Sequence, residues 1–127
     1  MKEFRSPIIW FEIPTRDIIR AREFYEAIFC IEMQPIPVKG LNMVAFPTGQ
    51  TSEVPSGALI HNPYYEPEEN GVLIYLNANP EIQNVINRIE PAGGEILVPK
   101  TLLTDELGYM ALFMDTEGNR IGLRAKV

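Results

Sequence analysis

The chain has little chemistry of the kind that is easily recognised: 127 residues contain 1 cysteine and 1 histidine. A single cysteine, Cys30, excludes an internal disulfide and any Cys-x-x-Cys pair. There is no Gly-rich phosphate loop and no Ser-His-Asp set. A basic excess is also missing. Lys and Arg number 11 against 17 Asp and Glu, for a net charge of −6. Such a chain has no electrostatic footprint for a phosphate backbone, so nucleic acid is not an expected partner. No apolar run approaches the ~20 residues that span a bilayer, and nothing resembles a secretory leader, so no membrane is expected and the cytoplasm is the default compartment.

What is present is ordinary globular composition, 46% hydrophobic and 22% charged. This length buries about two-thirds of its unfolded surface as one domain, taken as residues 1–127. The 11 prolines punctuate short elements. Ile8 to Ile13 alternates as a strand, with Trp10 and Glu12 on one face and Ile9, Phe11 and Ile13 on the other. Asp17 is placed to cap a helix reaching Phe29, whose apolar stripe runs through Ile18, Ala21, Phe24, Tyr25 and Ile28. Strands follow at 31–37, broken by prolines and so at an edge, at 41–46, and at 57–61; a polar loop fills 47–56.

After a bridge at 62–70 the order repeats. A strand is expected at 71–77, then a helix capped by Asn79 with Pro80 at its first position and a stripe of Ile82, Val85, Ile86 and Ile89. Gly93-Gly94 turns into a short strand, 95–98, and 100–108 reads as a loop that closes over a cavity mouth. Tyr109 to Met114 and Arg120 to Arg124 form a hairpin around Asp115-Thr116-Glu117-Gly118-Asn119. On the last strand Ile121 and Leu123 share one face; Arg120, Gly122 and Arg124 share the other. The pattern is βαβββ twice, in modules 7–62 and 71–125.

Two motifs carry a resemblance. Arg20-Ala21 followed by Phe24-Tyr25 and Phe29 is similar to R-A-x-x-F-Y-x-x-x-F-G, and Asp115 to Leu123 resembles D-P-x-G-N-x-x-E-L. Both belong to the vicinal oxygen chelate superfamily of glyoxalase I, bleomycin-resistance proteins and extradiol dioxygenases. The resemblance implies an α+β fold of two βαβββ modules, a curved, half-barrel-like sheet with helices outside. It also implies a homodimer. Two departures matter. Cys30 stands at the glycine that ends the first helix, where a residue with a Cβ costs about 1 kcal/mol, so Cys30 either bears strain or marks a differently ended helix. Gly122 stands at the glutamate that ligates metal in the superfamily's metalloenzymes.

Carried over by position, the other three metal ligands fall on Trp10, at or near Ala58, and on Gly71. None of these side chains can hold zinc, nickel or iron. The expectation is therefore a protein with no metal and no cofactor that binds a small organic molecule. Trp10, Tyr75 and Phe113 or Met110 supply apolar walls, and Glu12 with Arg120 or Arg124 the polar anchors. Glu12 is the one candidate catalytic residue, as a general base; alternatively it pairs structurally with Arg120 or Arg124. His61 is either a hydrogen-bonded structural residue or, with a shifted register, a ligand in a non-standard metal site. The alternative function is a metal-dependent lyase, isomerase or dioxygenase of the glyoxalase I type.

Overall fold

The computed structural model describes residues 7–49 and 55–127. The centre of the expected polar loop, residues 50–54, lies outside the described residues. Asp17 starts the first helix: its side chain accepts from the N–H groups of Ile19 and Arg20, both at 3.1 Å, which satisfies two of the free donors of the first turn. The helix ends at Cys30 in the left-handed region, φ 53 and ψ 49, so the residue replacing the expected glycine does adopt glycine's conformation.

The elements are β1 (Phe11–Pro14), α1 (Ile18–Phe29), β2 (Gln34–Pro35), β3 (Asn42–Ala45), β4 (Gly57–His61), β5 (Tyr75–Asn77), α2 (Ile82–Ile89), β6 (Glu95–Thr104), β7 (Gly108–Met114) and β8 (Arg120–Ala125). They build two four-stranded sheets, ordered β1-β4-β3-β2 and β5-β8-β7-β6. In each, the first strand pairs parallel with the last, and the remaining pairs are antiparallel. The element order is βαβββ twice, an α+β fold.

One hydrophobic core runs through both halves. Phe24, Tyr25 and Ile28 of α1 and Ile82, Val85 and Ile89 of α2 pack with Ile13, Leu59, Leu76, Phe113, Ile121 and Leu123 from the sheets. Phe24 and Tyr25 meet Phe113 at ring separations of 5.9 and 6.4 Å. The face of the first sheet away from the helices is covered separately by Met43, Ala58 and Ile60, with Trp10 and Ile36 against them.

Three local expectations change. Asn79 does not cap α2. Its Oδ1 accepts instead from the backbone N–H of Lys126 at 2.9 Å, and the helix begins at Ile82 with Glu81 at the capping position. Residues 100–104 are not a loop but the continuation of β6, so the segment expected to form a lid is a β6–β7 hairpin with its turn at 105–107. The β-formers Thr101 to Thr104 find partners on β7 as far as Gly108, through register shifts that bend the ribbon. Ile9, expected on the strand face of Phe11 and Ile13, and Val72, expected within the strand 71–77, lie outside their strands and are 92% and 93% exposed.

Candidate functional site

The turn between β7 and β8 sets the position of β8, and two buried carboxylates hold that turn. Asp115 Oδ1 accepts from the N–H groups of Glu117 and Asn119 at 2.8 and 2.9 Å; Oδ2 accepts from the Tyr25 hydroxyl at 2.7 Å and from Asn119 Nδ2 at 3.0 Å. Burial, reinforced by the Asp115 charge, pushes the Tyr25 phenol well above its ordinary range. Glu117 is 2% exposed and accepts from the N–H groups of Arg16 and Asp17 at 2.8 and 2.7 Å, from Arg20 Nε and Nη2 at 2.8 and 3.0 Å, and from the Thr116 hydroxyl at 2.8 Å. Burial opposes its ionisation. The hydrogen bonds outweigh that and hold the carboxyl at about 2.

With the turn fixed, β8 places Ile121 and Leu123 in the core and Arg120, Gly122 and Arg124 on the opposite face. Tyr75 of β5 is the parallel partner of Gly122. Its ring lies directly over the glycine: a Cβ there would come within 2.5–2.9 Å of Tyr75 Cδ1, Cε1 and Cγ. Arg120 donates through Nη2 to Gly71 O at 3.0 Å, and Arg124 through Nη2 to Leu107 O at 2.6 Å. The Nε atoms of both are buried without an acceptor among the described residues.

Three hollows adjoin these residues. The largest, about 650 Å³, has aromatic walls from Phe11, Phe29, Phe46 and Tyr75, with Asn84 and Arg88 at its polar side. A second, about 310 Å³, is contiguous with it through Tyr75, Leu76, Asn77 and Asn79, and is completed by Leu107, Arg124, Ala125 and Lys126. The third, about 190 Å³, holds Glu12 and Arg120 together with Glu66 and Glu68.

The expected site residues are therefore divided. Trp10 Nε1–H donates to Glu12 Oε2 at 3.1 Å, which gives Glu12 a partner other than the arginines foreseen for it. Glu12 and Arg120 share the smallest hollow. Tyr75 stands apart from them, between the two larger hollows. Phe113 is a correction: it is 0% exposed, inside the core against Phe24 and Tyr25, and lines none of the three hollows. It pairs with Ile121 across the hairpin, so it must share that residue's helix-side face. Phe11, Phe29 and Phe46 were not foreseen as walls, because the hollow opens only where α1 stops.

The sequence matches the model of the Glyoxalase/Bleomycin resistance protein/Dioxygenase superfamily over residues 8–123. The chain belongs to this superfamily. Solved structures share the fold. Hypothetical protein SA1046 from S. aureus is 24% identical with a TM-score of 0.70, over 98% of this chain and 97% of that one. A glyoxalase/bleomycin resistance protein/dioxygenase family enzyme from Burkholderia phytofirmans PsJN is 16% identical with a TM-score of 0.67, over 96% and 100%. TnmS3, an antibiotic binding protein from Streptomyces sp. CB03234, is 19% identical with a TM-score of 0.60, over 95% and 96%. No curated protein sequence matches the chain.

The residues do not fit the metal of the superfamily's metalloenzymes. Ala58 is fully buried with no donor atom, and Gly122 is covered by the Tyr75 ring. Among the described residues no three His, Cys, Asp or Glu side chains converge on one point. His61 places Nδ1 3.0 Å from Thr15 O, a structural hydrogen bond at the end of β4.

Proposed function

We propose that this superfamily member binds an aromatic small molecule, and does so without the superfamily's metal. The observation that carries the reading is the Tyr75 ring over Gly122. One side chain closes the position of the last metal ligand and at the same time forms a wall of the 650 Å³ aromatic hollow. That volume lies in the range of about 300–1,000 Å³ typical of small-molecule sites, and Ser56, Asn77, Glu81, Asn84 and Arg88 are among the polar residues that can orient a ligand. TnmS3, an antibiotic binding protein of the same fold, is consistent with this use of the scaffold. Glu12, steadied by the Trp10 indole, faces a different hollow and is the remaining candidate for proton transfer if a reaction is catalysed. The protein is further proposed to act as a homodimer, because the β6–β7 ribbon leaves Leu97, Leu102, Leu103 and Leu107 38%, 51%, 43% and 49% exposed.

The test is an amide NMR titration with a panel of bicyclic aromatic probes, joined to elemental analysis of protein purified without chelator. Binding is expected to perturb the amides of residues 29–31, 46 and 75–79 and to weaken in Phe46→Ala. A panel without a single binder, or near-stoichiometric zinc, nickel, manganese or iron lost in Glu12→Ala, overturns the proposal. Light scattering at tens of micromolar protein tests the dimer, and a monomeric mass refutes it.

A further inference from the structure

The aromatic hollow and its ligand leave unexplained why the adjoining one is cationic. The chain carries −6 overall, yet the 310 Å³ hollow is lined by Arg124 and Lys126 and by no Asp or Glu. Among the described residues neither cation meets a carboxylate in its hydrogen bonds. Arg124 Nη2 donates to Leu107 O, and Lys126 Nζ donates to Glu106 O at 2.8 Å; both acceptors are peptide carbonyls. These bonds tie down the side chains without neutralising them. Arg124 also keeps its Nε buried and without an acceptor. A guanidinium held through a peptide carbonyl keeps its full charge and further N–H donors, and so suits a carboxylate.

Arg120 is the natural comparison. It sits on the same face of β8 and also has an unmatched Nε, but its hollow is lined by Glu12, Glu66 and Glu68. An anion would be repelled there and attracted at Arg124. Geometry favours the same end. Tyr75 pairs with Gly122, and Asn77 pairs with Arg124, one step of two residues further along both strands. That step of about 6.6 Å makes Arg124 the next residue on β8 along the face that carries Gly122.

We infer that the small molecule is an aromatic carboxylate: its ring system lies against Tyr75 in the larger hollow, and Arg124, flanked by Lys126, receives its carboxylate in the smaller one. The inference rests on the aromatic-ligand reading above and adds the charge and the orientation of the ligand.

The test compares 2-naphthoate with 2-naphthamide, which share the ring and differ in charge, by titration calorimetry and NMR at low salt. The naphthoate is expected to bind at least about tenfold more tightly, with the preference shrinking as salt rises. It should shift the Arg124 side-chain N–H resonances more strongly than the naphthamide, whose carbonyl accepts a hydrogen bond but carries no charge. Arg124→Gln is expected to abolish the preference by weakening the naphthoate far more than the naphthamide; Arg120→Gln is expected to leave the preference unchanged. Equal binding of the two probes, or a preference that survives Arg124→Gln, overturns the inference and leaves the aromatic reading standing. Failure of both probes together with the whole uncharged panel overturns both. Should Arg124→Gln not fold, the wild-type probe comparison and the Arg124 resonance decide by themselves.

Discussion

Glu117→Gln removes the charge at the hub of the last turn and nearly preserves its shape. The carboxylate accepts five hydrogen bonds, and its side chain has no exposed surface. The carboxyl falls from an ordinary 4.5 to about 2 in the folded chain. At about 1.36 kcal/mol per pH unit, that difference contributes about 3 kcal/mol of stability at neutral pH. The folded value lies below the unfolded one, so the contribution is complete above about pH 4.5 and is lost as pH falls toward 2. At pH 3 about 1.4 kcal/mol should remain. Urea unfolding of wild type and Glu117→Gln at pH 7, 5 and 3, with matched m-values, measures the difference directly. Other carboxylates titrate in both proteins and largely cancel. The expected loss is about 3 kcal/mol at pH 7 and 5, narrowing by about half at pH 3. A loss that is constant across the three conditions would falsify the claim that ionisation of Glu117 holds the turn to α1.

Cys30→Gly should stabilise the protein by about 1 kcal/mol in urea unfolding, because the residue sits at φ 53; destabilisation would show that Cys30 packs usefully there. Gly122→Ala should cost about 1–3 kcal/mol through collision with the Tyr75 ring, and much less in a Tyr75→Ala background; additive costs in that double-mutant cycle would refute the contact. Phe113→Ala should cost about 3–5 kcal/mol of stability, since its ring is wholly in the core, while a folded preparation keeps its affinity for aromatic probes; selective loss of binding would return Phe113 to the site.

Local chemistry was legible wherever a residue's partner lies nearby in the chain. Asp17 as a helix cap, Asp115 and Asn119 as turn residues, and the alternation of Ile121 and Leu123 against Arg120, Gly122 and Arg124 all depend on neighbours within a few positions. At Cys30 the missing glycine left two readings open, a residue strained in glycine's conformation or a differently ended helix, and φ 53 selects the first. Phe113 was misplaced although the information was present: a five-residue turn that pairs Met114 with Arg120 also pairs Phe113 with Ile121, which puts it on the core side. Glu117 had no local signal at all. An acidic residue in a turn resembles a solvated one, and apart from the adjacent Thr116 the donors to its carboxylate are 97 to 101 residues away. The aromatic hollow was equally hidden, because Phe11, Phe29, Phe46 and Tyr75 come from four separate segments.

The attachment of that turn to the start of α1 also bears on how quickly the chain can fold. Glu117 and Asn119 reach back to Arg16 and Pro14, so the first helix acquires its full anchoring only after a loop of about 100 residues closes. The parallel β5–β8 pairing adds a second long closure, from Tyr75 to Gly122. Contacts this distant place the chain among slower folders for its size, with their loop entropy lost before the contacts repay it. Until the final hairpin forms, Phe24 and Tyr25 lack the Phe113 ring they pack on, and an early intermediate should display them to solvent. The last fifteen or so residues thus act as a latch. A chain shortened before β8 would keep most of its helical sequence and still lack the contacts that commit it to the native state.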